Sequence, residues 1–202
     1  MSVAPLRLGL AGLGTVGIGV VKIVQAHADL IAARAGRPVA ITAVSARDRT
    51  KNRDADLSGY AWETDPVALA ARADIDVFVE VMGGHEGAAK DATETALLSG
   101  KHVVTANKAL LAHHGQALAE AAEAANLALR FEAAVAGGIP VIKALTEGLA
   151  GNRMKRVMGV MNGSCNYILT RMQAENLPYE TVFEDARQLG YLEADPNLDV
   201  GG

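Results

Sequence analysis

Apolar residues fall into two alternating patterns along the first two thirds of the chain. Short, mainly apolar runs are typical of strands, and they lie at residues 7–11, 38–45, 74–81, 102–105 and 127–133. Between them, apolar residues recur at helical spacing over residues 15–34, 86–99 and 110–125, and Asp65-Pro66 opens a short helix. This alternation predicts an α/β fold built on a doubly wound, parallel sheet with right-handed crossovers.

The pattern changes near residue 136. A loop with two glycines and a proline, over residues 137–140, precedes three predicted helices and a strand. The helices lie at 141–149, from about 164 to 174 and at 179–189, and the strand lies at 153–161. We interpret residues 1–136 as a nucleotide-binding domain and residues 137–202 as the start of a second, α+β domain, which we expect to be truncated.

A glycine-rich loop follows the first predicted strand and opens the first predicted helix. Gly12, Gly14 and Gly17 have the spacing G-x-G-x-x-G. The first allows a tight turn, the second lets the backbone approach a pyrophosphate, and the third lets helix and strand pack closely. The helix N-terminus adds N–H groups and a positive dipole end. The loop therefore predicts dinucleotide binding on a Rossmann-type domain; the alternative is a tight turn in an unrelated α/β fold.

Basic residues follow the second predicted strand, where an acidic residue usually binds the adenosine ribose. Arg47 lies at that place, and three further cations follow it: Arg49, Lys51 and Arg53. Their charges suit the 2′-phosphate of NADP. We therefore predict that NADP(H) is preferred over NAD(H), with Arg47 as a contact. Asp48 leaves a ribose contact open, and a solvated basic loop is the alternative.

Lys108 stands where the fourth predicted strand passes into a helix. Strand-to-helix corners are where α/β folds bind ligands, and buried lysines suit proton transfer. Most lysines at such positions are surface charges, so position alone does not decide the role of Lys108.

The composition argues against several classes of function. Charged residues make up 21% of the chain and the net charge is −4, which disfavours a nucleic-acid or anionic-membrane surface. The single cysteine excludes an internal disulfide, and we expect a reducing, cytoplasmic location. No apolar stretch reaches the roughly 18 residues of a membrane span, and no zinc motif occurs.

Five segments of the chain form a recognisable set: GLGTVG (residues 12–17), TANKALLA (105–112), EAAVAGGIP (132–140), GVMNGSCNYIL (159–169) and LGYLEADP (189–196). Together they resemble homoserine dehydrogenase. Each is moderately specific, and their order and spacing make the set highly specific. The resemblance covers essentially the whole chain, but only the N-terminal part of that enzyme.

The resemblance implies the reversible oxidation of L-homoserine to L-aspartate 4-semialdehyde with NAD(P)⁺, a step in threonine, methionine and isoleucine biosynthesis. It implies that Lys108 is the active-site lysine, beside substrate and nicotinamide. It also implies that Glu193 binds the homoserine amino group, with Asp195 and Asp199 as further candidate carboxylates. Cofactor contacts are expected at Gly12, Gly14, Thr15, Val16, Gly17, Gly83, Gly84, Lys108 and Gly190.

The resemblance further implies a monovalent cation, usually Na⁺, in the loop after the fifth predicted strand. Its oxygen ligands fall on Glu132, Val135, Gly137 and Ile139, largely through backbone carbonyls. A carbonyl-rich turn can hold a hard cation without side-chain charge. Taken alone, the two glycines of this loop indicate only a hinge. The family also implies a homodimer, formed through a second domain that binds substrate.

The chain departs from the family pattern in two places. Ser164-Cys165 replaces two threonines, and we expect little effect because both pairs are small and polar. The second catalytic lysine of the family would lie past Gly202. We therefore expect these residues alone to bind the cofactor and to oxidise homoserine negligibly.

Two other hypotheses remain. Cys165 lies near a predicted helix N-terminus, which favours a thiolate, and the first alternative is therefore a semialdehyde dehydrogenase that forms a covalent thiohemiacetal. No general-base histidine lies in a matching motif, and a small buried cysteine is the commoner case. The second alternative is a nucleotide-sensing or dimerisation module without turnover. An assay with homoserine separates the three hypotheses.

Overall fold

The computed structural model describes residues 3–159 and 162–192. It divides into two compact units, Met1–Leu149 and Ala150–Gly202. The domain boundary proposed at residue 136 stays a prediction.

The first unit contains a six-stranded, entirely parallel sheet with the order β3-β2-β1-β4-β5-β6. The strands are β1 (Leu6–Ala11), β2 (Val39–Ser45), β3 (Ala61–Glu63), β4 (Val77–Glu80), β5 (His102–Thr105) and β6 (Leu129–Arg130). The predicted parallel, doubly wound sheet is thus confirmed. The sequence pattern did not predict β3, a three-residue edge strand on β2, and predicted β6 too long.

Five helices accompany the sheet: α1 (Thr15–Ala26), α2 (Ala28–Ala35), α3 (Pro66–Ala71), α4 (Ala88–Leu98) and α5 (Lys108–Ala124). The prediction of one helix over residues 15–34 was wrong, because the chain bends by 83° between α1 and α2. His27 ends α1 and begins α2, and α2 has no buried residue. No single helix in the described ranges is long and apolar enough to cross a membrane, although the bent pair α1–α2 reaches that length and composition together.

The core lies on both faces of the sheet. On one face, Leu10 and Val44 of the strands pack with Val21 of α1. On the other, Phe78 and Val103 pack with buried residues of α3, α4 and α5. All four residues of β4 are buried, as expected for a central strand covered on both sides.

The first unit ends in short turns after β6. A 3₁₀ turn (Glu132–Ala134) leads to α6 (Val141–Lys143), which continues as a π-helical segment (Ala144–Gly148). The predicted helix over residues 141–149 is therefore present, but most of it has π-helical and not α-helical turns. The predicted strand over residues 127–133 is shorter because its last residues form the 3₁₀ turn.

The second unit contains α7 (Gly163–Glu175) and α8 (Tyr179–Gln188), which agree with the predicted helices. They pack through the buried side chains of Ile168, Val182 and Ala186. The strand predicted over residues 153–161 is not formed in its described part, residues 153–159, which is exposed throughout. A strand needs a hydrogen-bonded neighbour, and the described residues of this unit contain none.

Candidate active site

Four strand ends form one row across the sheet. Ser45, Ala11, Glu80 and Thr105 are register partners from β2 to β5, and each is almost completely buried. Since α1 packs on one face and α4 on the other, the chain leaves β1 and β4 in opposite directions. Such a switch point opens a crevice at the carboxyl edge of a parallel sheet, where ligands bind in α/β proteins.

The glycine loop lies at this crevice, and its geometry requires glycine at two positions. Gly12 has φ +101°, and a Cβ atom there would lie 2.6 Å from the Val81 carbonyl oxygen. A Cβ atom on Gly17 would lie 1.9 Å from the Gly12 carbonyl oxygen. Gly14 faces open space, with no atom within 4 Å of an added Cβ, and caps α1 without a side-chain hydrogen bond. The tight turn at Gly12, the open space at Gly14 and the free backbone N–H groups at the start of α1 therefore fit a dinucleotide pyrophosphate.

A cleft of about 880 Å³ opens beside this loop. It is bounded by the glycine loop (residues 12–17), the end of β2, the basic loop (residues 47–53) and the turn after β4 (residues 81–86). Its lining includes Gly12, Leu13, Gly14, Ser45, Ala46, Arg47, Asp48, Lys51, Arg53, Val81, Met82, Gly83, Gly84 and Glu86. Thr15 and Val16 are exposed in the first turn of α1 and do not line the cleft.

The four cations of the basic loop have different roles. Arg53 is fixed: its guanidinium donates to the carbonyls of Leu13, Lys51 and Asp48, at 3.2, 3.0 and 2.6 Å. Arg49 lies 5.7 Å from the ring centre of Trp62 and is not part of the cleft wall. Arg47 and Lys51 are exposed and line the cleft.

Asp48 also lines the cleft, but its carboxylate closes a local turn. The backbone N–H and hydroxyl of Thr50 both donate to Asp48 Oδ1, at 2.8 and 2.7 Å. These bonds, the hydroxyl's first, lower the pKa of Asp48 from its ordinary value. Oδ1 is thus engaged within the turn, and the carboxylate's second oxygen leaves a ribose contact for Asp48 open.

The turn after β4 forms the opposite wall. Gly83 and Gly84 have φ values of +138° and +82°, which side-chain-bearing residues rarely adopt, and both glycines are exposed. Glu86 brings a negative charge to this wall, and His114 Nε2 lies 2.9 Å from its Oε1. That hydrogen bond lowers the pKa of Glu86, with Lys90 contributing. The cleft thus combines a basic side, an exposed glycine turn and two hydrogen-bonded carboxylates, Asp48 and Glu86.

Lys108 is the first residue of α5, directly after the cap residue Asn107. Its side chain is exposed, as most lysines at such positions are, and its role in catalysis stays a prediction. It does not belong to the lining of the 880 Å³ cleft. The start of α5 is nevertheless tied to the cleft wall, because Asn107 Nδ2 donates to the Gly84 carbonyl at 2.6 Å.

Sequence reasoning missed the polar group beneath this corner. Glu80, with no exposed surface, accepts hydrogen bonds from the Thr105 hydroxyl at 2.6 Å and from Met82 N at 2.8 Å. The signal was available: a glutamate in an otherwise apolar central strand must have polar partners. Arg53 was predicted only as one of several cations, since its carbonyl contacts depend on how the loop folds.

The candidate cation loop carries two successive residues with positive φ, Ala136 and Gly137. The Glu132 carboxylate accepts from the backbone N–H of Ile142 and Lys143, at 2.9 and 2.8 Å, and so caps the start of α6. Val135, Gly137 and Ile139 are exposed. Because the Glu132 carboxylate is engaged, the ligands left in this exposed turn are backbone carbonyl oxygens. Hard cations bind oxygen ligands of this kind.

Other expected residues belong to the second unit. Gly190 follows α8 with φ +75°, and its N–H donates to the Arg187 carbonyl at 3.1 Å, so there it ends a helix. Cys165 lies in the first turn of α7 and its N–H donates to the cap residue Asn162. Glu193, Asp195 and Asp199 lie outside the described residues.

Comparisons with known proteins agree with this geometry. A family model described as homoserine dehydrogenase, NAD binding domain, matches residues 12–132, and one described as homoserine dehydrogenase matches residues 140–202. Homoserine dehydrogenases of Neisseria gonorrhoeae and Bacillus subtilis are each 46% identical and cover 98% of this chain. The chain spans 45% of the length of both. The alternative that uses Cys165 as a nucleophile gains no support from these relatives.

Solved structures give the same picture. The homoserine dehydrogenase of Thiobacillus denitrificans superposes with a TM-score of 0.90 at 41% identity, over 98% of this chain and 46% of that one. A hyperthermophilic archaeal homoserine dehydrogenase mutant in complex with NADPH superposes with a TM-score of 0.81 at 27% identity, over 98% of this chain and 65% of that one. Because the nucleotide-domain model alone matches more than half of the residues, this chain belongs to the homoserine dehydrogenase family.

Proposed function

We propose that the whole protein is an NAD(P)-dependent homoserine dehydrogenase that interconverts L-homoserine and L-aspartate 4-semialdehyde. The observation that carries the proposal is the junction of the dinucleotide cleft with the Lys108 corner. The Gly83–Gly84 turn forms the wall of the cleft and is hydrogen-bonded to the residue that caps α5, at whose first position Lys108 lies.

The reaction needs one hydride transfer and one proton transfer. When bound, the nicotinamide ring exchanges a hydride with the substrate carbon. The protein must bind the cofactor and move the hydroxyl proton of homoserine, or return it to the aldehyde oxygen in reverse. An ammonium such as that of Lys108 can polarise that oxygen or donate a proton to it. A carboxylate must hold the substrate's ammonium, and we assign this role to Glu193, with Asp195 and Asp199 as further candidates.

An assay of the purified whole protein tests the proposal. With L-homoserine and NADP⁺ the absorbance of the reduced nicotinamide should rise, and with the semialdehyde and NADPH it should fall. L-serine, which is shorter by one methylene, is the matched control and should be oxidised far more slowly. Absence of turnover in both directions would contradict the proposal and favour a nucleotide-sensing module.

NADP(H) is the proposed cofactor, in preference to NAD(H). Arg47 and Lys51 line the cleft, whereas Arg49 lies over the Trp62 ring outside the cleft wall and Arg53 is held by backbone carbonyls. The archaeal relative in complex with NADPH supports this choice. We assign the pyrophosphate to the glycine loop, including Thr15 and Val16, and further contacts to Gly83, Gly84, Lys108 and Gly190.

A monovalent cation, such as Na⁺, is proposed for the loop over residues 135–139, with carbonyls of Glu132, Val135, Gly137 and Ile139 as ligands. The exposed turn with two positive φ values supports this assignment. Exchange of Na⁺ for choline should lower the melting temperature of the protein, and Na⁺ should restore it. Equal melting temperatures in both salts would contradict a bound cation.

A homodimer is proposed for the whole protein. The exposed apolar side chains of Met154, Val157 and Met158, 46%, 51% and 78% accessible, support a covered surface in the second unit. Sedimentation equilibrium should give twice the monomer mass. A monomer at all concentrations would contradict the proposal. The cytoplasmic location likewise stays a prediction.

A further inference from the structure

Glu80 is a completely buried carboxyl group at the end of a strand whose other residues, Val77, Phe78 and Val79, are apolar. Burying such a group is costly unless its oxygens find donors. Its two oxygens have different partners. Oε1 accepts from Met82 N at 2.8 Å, and Oε2 accepts from Thr105 Oγ1 at 2.6 Å.

The hydrogen bonds continue from Thr105 to the start of α5. Thr105 Oγ1 accepts from Asn107 N at 3.0 Å. The two polar atoms of the Asn107 side chain have different partners: Oδ1 accepts from Leu110 N at 3.0 Å, and Nδ2 donates to the Gly84 carbonyl at 2.6 Å. The bonds therefore connect the turn after β4 to the corner after β5 by two routes, one through Glu80 and one through Asn107.

We infer that Glu80 is a positioning residue for the proposed reaction. Through Thr105 and Asn107 it fixes the Gly83–Gly84 turn and the first turn of α5 relative to each other. The wall of the cofactor cleft and the Lys108 ammonium thereby keep the spacing that hydride and proton transfer require. A buried polar network with every member satisfied is rigid, and reacting groups tolerate little displacement. The inference rests on the proposed function.

The carboxyl group suits this role because both of its oxygens can accept a hydrogen bond. A glutamine has one acceptor oxygen and an amide that only donates. If its oxygen faces Met82 N, the Thr105 hydroxyl loses its acceptor; if the amide turns, Met82 N loses its acceptor instead. Glu80→Gln therefore leaves one donor, the Thr105 hydroxyl or Met82 N–H, without its acceptor in either orientation, while keeping the volume of the side chain.

The kinetic test compares two completely buried threonines in the whole protein. Thr105 belongs to the network, whereas Thr93 only donates to the Ala89 carbonyl within α4. Thr105→Val and Thr93→Val remove the same hydroxyl at equal burial. We expect kcat to fall at least about 10-fold for Thr105→Val and less than about 2-fold for Thr93→Val. Thr105→Ser should restore most of the rate, with KM for homoserine changed far less than kcat.

A second variant covers the case in which Thr105→Val fails to fold. Asn107→Asp keeps the oxygen that caps α5 and replaces the Nδ2 donor by an acceptor that faces the Gly84 carbonyl. The melting temperature should fall because the new oxygen has no donor, but the Asp oxygen at the α5 cap should keep the protein folded, and kcat measured well below the melting temperature should fall about 10-fold or more. An unchanged kcat in Asn107→Asp and Thr105→Val would overturn the inference.

Amide hydrogen exchange separates this inference from the proposed function, because it needs no turnover. In Thr105→Val the amides of Met82, Gly83 and Gly84 should exchange faster together with those of Asn107 and Leu110, and Thr93→Val should leave all of them unchanged. Faster exchange at the α5 corner alone would overturn the inference. If Thr105→Val speeds exchange at both places but the unmodified protein never oxidises homoserine, the proposed function is refuted instead.

Discussion

Arg53 Nε donates a hydrogen bond to the Leu13 carbonyl oxygen, 3.2 Å away, and so ties the basic loop to the glycine loop. The Arg53 guanidinium also lies 5.6 Å from the ring centre of Trp62. Because it is held on several sides, Arg53 shapes the cleft and is poorly placed to turn towards a ligand. Arg47 and Lys51 remain as exposed cations on the cleft wall.

NADPH should bind more tightly than NADH, and Arg47→Asp should reduce the difference. A hydrogen bond to a charged group contributes about 1.5–3 kcal/mol, so NADPH affinity should fall roughly 10- to 100-fold while NADH affinity changes little. Fluorescence titration measures both affinities. Arg49→Asp is the control with the same charge change outside the cleft wall. Tighter NADH binding by the unmodified protein would refute the NADP preference.

Two glycines of α1 should respond oppositely to alanine. An alanine Cβ at Gly17 would lie 1.9 Å from the Gly12 carbonyl oxygen, whereas Gly19 has no atom within 4 Å of an added Cβ. Gly17→Ala should therefore destabilise the protein and weaken cofactor binding. Gly19→Ala should raise the free energy of unfolding by about 0.4–1 kcal/mol, because glycine is unfavourable within helices. Urea unfolding tests both; equal effects would contradict close packing at Gly17.

Lys108→Ala in the whole protein should lower turnover by about 10²-fold or more, the range of general acid–base groups, with a smaller change in cofactor affinity. Steady-state kinetics and cofactor titration measure the two effects. Lys101→Ala is the control, since Lys101 precedes β5 and thus lies at the opposite edge of the sheet from Lys108. If both variants keep the normal rate, Lys108 is only a surface charge.

Asp76 should contribute a pH-dependent part of the stability. Hydrogen bonds from the Arg7 side chain, at 2.6 and 3.1 Å, lower the pKa of Asp76 from 3.8 to about 2. A depressed carboxyl pKa stabilises the fold above the unfolded value, and this stabilisation is lost as the pH falls from about 4 towards 2. The difference in unfolding free energy between the unmodified protein and Asp76→Asn should therefore shrink over that range.

Urea unfolding at a series of pH values measures this difference. Asp54→Asn is the control, since Asp54 bonds Lys22 with its side chain 95% exposed and solvent screens the pair. Its effect should be small at every pH. A constant difference for Asp76→Asn from neutral pH down to about 2 would contradict the ion pair's role.

The sequence predicted the sheet well because buried strands and amphipathic helices leave clear periodic patterns. It failed where tertiary contacts decide. The bend at His27 has no proline or glycine to mark it, and apolar residues continue at helical spacing into α2 although that helix buries none of them. β3 is too short, at three residues, to show a period of its own.

The candidate site divides in the same way. The glycine spacing predicted a turn that the contacts of Gly12 and Gly17 now explain, because local backbone geometry demands those residues. The pairing of Glu80 with Thr105 was not predicted. It depends on β4 and β5 being neighbours in register, and 25 positions separate the two residues along the chain.

The cleft also links ligand and fold energetically. Its walls come from residues between Gly12 and Ala89, and they meet only when β1, β2 and β4 lie side by side. The unfolded chain therefore offers the dinucleotide no comparable site. A ligand that binds only the folded state stabilises it by about 2.7 kcal/mol at 100 times its dissociation constant. Bound dinucleotide would thus act as a clasp between the three strands, and its removal would lower the free energy of unfolding by the same amount.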